Sequence, residues 1–260
     1  MSVESTISKE LDFIERSEGV KILFAVESGS RSWGFASPDS DFDVRFVYAR
    51  RIRDYLALNE PRDVIEHAMK AENIGLDVDF DAAGWDLRKF LRLMRNSNPS
   101  SFEWLGSKTV YREDSSWCVV RKLSESCFEP RSVGYHYLGM LKNHDRKYLG
   151  AEKVAPKKYL YCIRAILAAR WAVTRFKPVP VPFDELKEAV LEPEMMPVVE
   201  HLLEIKASSD EKCPISHIPS IDMWLNESYA ELQGAVASLR KHPKCDWGDL
   251  DDVFLELVNY

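Results

Sequence analysis

The sequence predicts an α+β protein, with a sheet flanked by helices in its first half and only helices in its second. Two observations support this division. Short apolar or alternating runs, which are typical of strands, occur almost only before about Glu129. Beyond that residue, apolar side chains recur at the spacing of amphipathic helices. We therefore expect a first domain at residues 1–128 and a helical domain at residues 129–260, joined within residues 111–131.

The elements of the first domain follow from apolar spacing and from chain breakers. Leu11 and Ile14 have helical spacing and predict a helix at residues 7–18. Strands are predicted at residues 21–26, 41–48, 64–65 and 76–82. Helical segments are predicted at residues 31–35, ended by Pro38, at residues 85–95, and from residue 99 towards residue 105.

The second domain is predicted to consist of five helices. They are expected at residues 133–149, 156–175, 183–190, 195–207 and 221–240. The alternating prolines of residues 178–182 form a stiff extended connector between two of these helices.

Composition excludes several classes of protein. Hydrophobic residues make up 45% of the chain and charged residues 30%, as in ordinary globular proteins. No apolar run is long enough to cross a bilayer, and the first residues do not resemble a secretory signal, so we expect a cytoplasmic protein. The five cysteines are scattered and lack CxxC spacing, which argues against a disulfide framework or a zinc site.

Charge is distributed unevenly along the chain. The net charge is −7, yet residues 142–177 contain ten Lys or Arg against two acids. Residues 182–260 contain seventeen acids against six Lys or Arg. A basic block inside an acidic protein indicates a local anion site. Solvated helix faces of opposite sign would give the same pattern.

A Gly29-Ser30 turn directly follows the apolar strand at residues 21–26. At such a strand-to-helix junction, backbone N–H groups face an anion, and a serine hydroxyl can add a further donor. Asp41 and Asp43 stand two positions apart where the next strand begins, so their carboxylates should point to the same side. Convergent carboxylates beside a phosphate-binding turn are what Mg²⁺-dependent transfer from a nucleotide requires. Gly-Ser alone would indicate only a turn.

A third carboxylate is predicted on the strand at residues 76–82. Its alternation places Asp77, Asp79 and Asp81 on one face. One of them could complete a metal site and accept the proton of an attacking hydroxyl. An amphipathic edge strand with its polar face in water is the alternative interpretation.

Two sets of cationic residues are candidates for contacting a nucleotide. Arg45 shares strand parity with Asp41 and Asp43, so it could pair with a carboxylate or with a phosphate. Lys157, Tyr161 and Arg164 share one helix face and could neutralise a triphosphate. A surface helix whose long side chains lie along apolar surface would have the same pattern. The histidines have no metal-ligand spacing, and no Walker, G-x-S-x-G or H-E-x-x-H motif is present.

At these residues the chain resembles the DNA polymerase β-type nucleotidyltransferase superfamily. More narrowly, it resembles predicted nucleotidyltransferases associated with RNA repair. The matching blocks are residues 27–45, residues 84–89 with 97–99, and residues 157–161 with Arg164. The resemblance covers about residues 13–182, and the acidic end of the chain matches nothing we can name.

The resemblance implies a mixed, mostly antiparallel sheet and a helical domain that closes over the nucleotide. It also implies two Mg²⁺ (or Mn²⁺) ions held by Asp41, Asp43 and a third acid. Asp81 matches that acid best because it lies just before the block at residues 84–89, and Asp79 is the alternative. The nucleotide-binding candidates are Gly29, Ser30, Arg31, Arg45, Lys157, Tyr161 and Arg164.

The leading hypothesis is a metal-dependent nucleotidyltransferase that moves a nucleoside monophosphate from an NTP such as ATP to a hydroxyl, with an RNA or tRNA 3′ end as the expected acceptor. Asp41, Asp43 and Asp81 would be its catalytic residues. Its partners would be the NTP and the RNA, and no membrane is implied. A second hypothesis is a toxin-like enzyme that modifies tRNA or a protein hydroxyl. A third is a protein that binds nucleotide or RNA without turnover.

Overall fold

The computed structural model describes residues 2–144, 152–208 and 214–259. The first half contains α1 (Val3–Glu18), β1 (Lys21–Glu27), α2 (Gly29–Trp33), β2 (Phe42–Ala49), α3 (Ile52–Tyr55), β3 (Val64–Met69), α4 (Ala71–Ile74), β4 (Phe80–Asp86), α5 (Leu87–Arg95), α6 (Pro99–Gly106), β5 (Val110–Glu113), a 3-10 turn (Ser115–Trp117) and α7 (Cys118–Cys127). The second half contains α8 (Pro130–His144), β6 (Lys153–Val154), α9 (Pro156–Arg175), α10 (Phe183–Val190), α11 (Met196–Ser208), β7 (Ile215–Ser216), α12 (Pro219–Ser238) and α13 (Trp247–Val258).

The first half is built on one five-stranded sheet in the order β3-β4-β2-β1-β5. The central pair β2 and β4 is parallel, and the other three pairs are antiparallel. The mixed, mostly antiparallel sheet implied by the resemblance is therefore confirmed. The α+β class is confirmed as well.

Helices cover both faces of this sheet. Ile7, Leu11 and Ile14 of α1 pack against one face. Phe90 and Met94 of α5 pack against the other face. Successive side chains of a strand point to opposite faces, so this face receives every second residue of each strand. The face under α5 is also the face on which Asp43 lies, because Val47 of that face follows Asp43 by four residues in the same strand.

The second half packs around α9, which is buried along most of its length. Helices α8, α10, α11 and α12 all contact α9. Apart from the two-residue strands β6 and β7, the described part of the second half is helical or irregular. The helices expected at residues 156–175 and 183–190 have these same bounds in the structure. The predicted end of the first helix, residues 145–149, lies outside the described residues.

Several boundaries in the first half differ from the sequence prediction. The strand expected at residues 76–82 begins only at Phe80 and continues to Asp86, so Trp85 lies in a strand rather than in the predicted helix. The reason is local: the Asp79 carboxylate accepts a hydrogen bond from the backbone N–H of Ala71 and so holds the turn around α4. Strand β5 and helices α7 and α13 were not predicted.

The last helix lies against the first half of the chain. Leu250 and Leu257 of α13 belong to the same apolar cluster as Phe90 and Met94 of α5. The division at residue 128 remains a prediction, to which the structure adds that α13 packs against the sheet half.

The cysteines require a correction. Cys127, at the end of α7, and Cys245, just before α13, form a disulfide with their Cα atoms 5.1 Å apart. The two residues are separated by 118 positions, so their spacing in the sequence carried no sign of the pair. Among the described residues, no helix is both long and apolar enough to cross a membrane.

Candidate functional site

The predicted glycine-serine turn lies between β1 and β2. Gly29 opens α2 with φ of +60°, a conformation that favours glycine. A Cβ on this residue would lie 2.1 Å from Asp43 Oδ2, so the turn also needs glycine for space. The backbone N–H of Ser28 donates to the Asp43 carbonyl at 2.8 Å, which fixes the turn against the next strand. Ser30 follows as a buried residue in this turn.

Asp43 and Asp81 lie side by side at the start of the two parallel strands. The β2–β4 register pairs Asp43 directly with Asp81. One guanidinium nitrogen, Arg45 Nη2, lies 3.1 Å from Asp43 Oδ1 and 2.9 Å from Asp81 Oδ2. The Asp43 side chain is 32% exposed and that of Asp81 is 46% exposed, so both can be reached from solvent.

The sequence allowed Arg45 to pair with a carboxylate or with a phosphate. In the structure it pairs with carboxylates. Its Nη1 also donates to the Asp81 carbonyl at 3.2 Å, which orients the guanidinium across β4. A single cation between two carboxylates offsets their mutual repulsion, which would otherwise push the two strand ends apart.

Asp41 and Arg31 lie at the entrance to β2. The Asp41 side chain is exposed, and its carbonyl accepts from Arg31 Nε at 3.0 Å. The guanidinium of Arg31 also donates to the Ser40 carbonyl and stacks on the Phe42 ring at 4.1 Å. Arg31 thus holds the loop that carries Asp41. Its predicted contact with nucleotide remains a prediction.

Asp79, the alternative third acid, has a different environment from Asp81. Its carboxylate pairs with Lys70 at 2.5 Å and accepts from Ala71 N–H at 3.0 Å. These hydrogen bonds, above all the one from Lys70, lower the pKa of Asp79. Asp77 is exposed and lies outside the strand. Of the three predicted acids, Asp81 is the one that the register pairs with Asp43.

A buried acid that no sequence motif indicated lies beside this pair. Glu27, only 2% exposed, accepts from the Asp43 N–H at 2.9 Å and from the Tyr111 hydroxyl at 2.5 Å. Burial raises the pKa of Glu27, and the nearby Asp43 charge raises it further. An acid at the end of an otherwise apolar strand, directly before the turn, was the available signal.

Two of the three nucleotide-binding candidates in the second half of the chain lie against Trp33, the last residue of α2. Tyr161 meets the Trp33 ring edge-on at 5.3 Å, and the Arg164 guanidinium lies 4.3 Å from the centre of the same ring. Arg164 is only 3% exposed and forms an ion pair with Glu103 at 2.8 Å. Lys157 is partly buried at the start of α9.

The contact between Trp33 and α9 joins the two halves of the chain. Tyr137 of α8 donates to the same Glu103 oxygen that pairs with Arg164. Lys206 of α11 donates to the Phe35 carbonyl at 2.6 Å, just after the turn. The structure thus gives Arg164 a buried position between the two halves, whereas its sequence pattern predicted contact with nucleotide. That expectation remains untested.

Within residues 2–144, 152–208 and 214–259, no group of three or more His, Cys, Asp or Glu side chains is arranged to hold a metal ion. The structure brings together Asp43 and Asp81, with hard oxygen donors of the kind that Mg²⁺ prefers. The three-ligand set that includes Asp41 remains a prediction.

A glycine turn after β1 and paired acids on parallel β2 and β4 are the features that the sequence predicted for a nucleotidyltransferase site. The family model described as the RNA repair pathway DNA polymerase beta family (RlaP) matches residues 3–256. The chain belongs to this family of polymerase β-like nucleotidyltransferases linked to RNA repair, and this membership supports an enzyme.

Individual relatives add little about activity. The uncharacterized protein YcgL of Bacillus subtilis (strain 168) is 38% identical over 258 residues, which cover 98% of this chain and 96% of that protein. A nucleotidyltransferase-like protein from Exiguobacterium sibiricum 255-15 aligns with 91% of this chain and 75% of its own, at 10% identity and a TM-score of 0.33. A similarity that low carries no argument.

Proposed function

We propose that this protein transfers a nucleoside monophosphate from an NTP to a hydroxyl, with the 3′ end of an RNA such as a tRNA as the acceptor. The supporting observation is the pair formed by Asp43 and Asp81, whose carboxylates both lie within hydrogen-bond distance of Arg45 Nη2. Like charges held this close, and open to solvent, are typical of sites that bind cations or exchange protons. A cytoplasmic location, where NTP and RNA are both present, is part of the proposal.

The proposed reaction gives roles to Asp81, to the glycine-serine turn and to Arg45. The acceptor oxygen forms a bond to the α-phosphorus, the bond from that phosphorus to the β-bridging oxygen breaks, and pyrophosphate leaves. Asp81 accepts the proton of the attacking hydroxyl, because it is the more exposed acid of the pair. Gly29 and Ser30 receive the phosphates at the backbone of the turn. Arg45 turns from the carboxylates to the phosphates when the nucleotide binds.

Asp43 and Asp81, with Asp41 from the adjacent loop, would hold Mg²⁺ or Mn²⁺, and two ions are expected. The donor set fits, because carboxylate oxygens are the ligands these hard cations take. When bound, the cations would stabilise charge that develops on the phosphates and lower the pKa of the acceptor hydroxyl. Residues 1–128 would supply this site. Residues 129–260, which contact Trp33 through α9, would lie opposite it.

The RNA acceptor is inferred from the family's link to RNA repair. The test is incubation with α-labelled NTP, Mg²⁺ and RNA that has either a free or a blocked 3′ hydroxyl. We expect label on the free-ended RNA alone. The label should be lost in Asp81→Asn and retained in Asp77→Asn, an exposed acid that lies outside β4.

Each other result would contradict a specific part of the proposal. Label on the blocked RNA or on a protein would replace the 3′-end acceptor with an internal or protein hydroxyl, as in a toxin-like enzyme. NTP binding without any transfer would indicate a non-catalytic protein. Equal loss in both variants would remove the special role of Asp81.

A further inference from the structure

A second charged surface lies at the other end of β2 and β4, where these strands lead into the β2–β3 connection and α5. Helix α5 has four cations and no acid along its nine residues. Leu87, Phe90, Leu91 and Met94 form its buried side, so the cations lie on its outer side. We call Arg62, Arg88, Lys89, Arg92 and Arg95 the basic face. A groove of about 390 Å³ between α5 and residues 54–63 contains four of these five side chains.

The groove contains four acids, Asp54, Glu60, Asp63 and Asp86, against its four cations. Helix α5 itself carries no acid, so the excess of positive charge lies on the α5 side of the groove. Lys89 Nζ lies 3.1 Å from both oxygens of Asp63, which accounts for one acid and one cation. Asp86 is 5% exposed and accepts from Arg88 N–H and from the Tyr55 hydroxyl, so it serves as the helix cap. In the part of the chain that the structure describes, no ion pair involves Arg62, Arg88 or Arg92.

Aromatic rings alternate with these cations. The Arg88 guanidinium lies 4.8 Å from the centre of the Tyr55 ring. The Arg95 guanidinium lies 4.1 Å from the centre of the Trp247 ring, and Trp247 itself is 49% exposed. Of the two rings, Trp247 is the exposed one. Cations beside an exposed aromatic ring are typical of a surface for a nucleic-acid strand, because phosphates pair with the cations and bases stack on the ring.

The basic face and the carboxylate pair belong to the same side of the sheet. Helix α5 covers the face of β2 on which Val47 and Ala49 lie, and Asp43 and Arg45 share that face. Six residues of strand separate Asp43 from Ala49, a distance of about 20 Å. A stacked strand advances roughly 3.4 Å per nucleotide, so about six nucleotides span this distance.

We propose that the basic face binds the phosphate backbone of the RNA acceptor several nucleotides upstream of the 3′ end that reaches Asp43 and Asp81. This inference depends on the proposed function for the position of the 3′ end, and its binding test does not depend on turnover. The class of ligand is a single-stranded polynucleotide or the strand of an RNA stem.

The test measures RNA binding by fluorescence anisotropy, without NTP, across a salt series. The variant is Arg88→Gln/Lys89→Gln/Arg92→Gln, and its control is Lys122→Gln/Arg175→Gln/Lys177→Gln, which removes the same charge from exposed positions elsewhere. We expect the basic-face variant to bind an oligonucleotide of about ten nucleotides at least about 10-fold more weakly, with its salt slope reduced by about 2. The control should bind like the wild type.

A transfer assay separates this inference from the proposed function. The basic-face variant should transfer to a trinucleotide acceptor, which is too short to reach α5, at the wild-type rate. If the triple variant fails to fold, the single variant Arg92→Gln, at an exposed position, takes its place. We expect it to lose RNA affinity as well, by a smaller factor.

Three results would overturn the inference: unchanged RNA affinity in the basic-face variant, an equal loss in the control, or binding to phosphatidylserine vesicles but not to RNA. If the wild type transfers no nucleotide at all but binds RNA through α5, the proposed function fails and the basic face stands.

Discussion

The two ends of the parallel strands β2 and β4 carry opposite chemistry. At the beginning of the strands, Asp43 and Asp81 share a single guanidinium and remain open to solvent. At the end of β4, Asp86 is buried, accepts hydrogen bonds from a backbone N–H and from the Tyr55 hydroxyl, and has Arg50 and Arg88 nearby. The same backbone pairing thus positions acids for chemistry at one end and cations for binding at the other.

The difference shows that burial and partners decide what an acid can do. Burial raises the pKa of Asp86, and its oxygens are used by the N-terminus of α5. Asp43 and Asp81 contact a long side chain that can move away, so their oxygens can exchange this partner for another cation. We expect activity to depend on the first end and stability on the second.

The largest effect is expected from an acid-to-amide change at each end. Asp43→Asn should lower nucleotide transfer by about 1000-fold, because several kcal/mol of charge stabilisation are lost, and should leave the thermal midpoint nearly unchanged. Asp86→Asn should keep activity but lower stability by about 1–2 kcal/mol, since a buried acceptor loses charged hydrogen bonds. Transfer rates and thermal unfolding measure both. Loss of transfer in Asp86→Asn, with transfer retained in Asp43→Asn, would contradict this difference between the two strand ends.

The next effect concerns the glycine turn. Gly29→Ala should move the Asp43 carboxylate, since a Cβ there would lie 2.1 Å from Asp43 Oδ2, and should reduce transfer by about 100-fold. Gly75→Ala is the matched control, with φ of +67° and no heavy atom within 4 Å of the added Cβ. Both variants should lose about 1 kcal/mol of stability from backbone strain. Equal transfer rates in the two variants would show that the turn does not position Asp43.

A smaller effect is expected from the guanidinium between the acids. Arg45→Gln should reduce transfer by about 10-fold, because the phosphates lose the guanidinium that turns to them when the nucleotide binds. Arg62→Gln, at an exposed arginine beyond the other end of the strands, should leave trinucleotide transfer unchanged. Steady-state kinetics with a trinucleotide acceptor would reveal the difference. Faster transfer in Arg45→Gln would mean that Arg45 only competes for the carboxylates.

The smallest effect is a change in titration. The pKa of Glu27 should lie above its ordinary value of 4.5, and Asp43→Asn should lower it, because the neighbouring negative charge is gone. An acid whose pKa is raised by folding destabilises the protein above that pKa, and this penalty disappears as the pH falls below 4.5. Carbon-detected NMR of the Glu27 carboxyl gives both values. A Glu27 pKa that does not respond to Asp43→Asn would place the two acids in separate environments.

Much of the fold could be predicted from local patterns. Apolar spacing identified α1, β1, β2 and α9, because each buries one regular face or run. The start of β4 was misjudged because alternation continues through Asp77 and Asp79, while hydrogen bonds from Lys70 and Ala71, 9 and 8 residues earlier, hold that segment in a turn. Helix α13 and the Cys127–Cys245 bond depend on contacts between distant segments, which no local pattern contains.

The site was predictable to the same degree. Gly29, Asp43 and Asp81 follow from a turn and two strand parities, so their proximity could be expected. The parallel register that sets Asp81 rather than Asp79 opposite Asp43 is a tertiary property. Arg164 illustrates the limit: the bounds of its helix were predicted correctly, but the acid that pairs with it, Glu103, lies on α6, in the other half of the chain.

The central claim is that Asp43 and Asp81 act together as one cation site. Electron paramagnetic resonance of Mn²⁺ binding, in the presence of NTP, tests it most directly in the wild type, in Asp43→Asn, in Asp81→Asn and in the double variant. We expect each single variant to weaken Mn²⁺ binding by at least about 10-fold and the double variant to add little, because the two ligands work as a unit. Unchanged Mn²⁺ affinity in Asp81→Asn would contradict the claim.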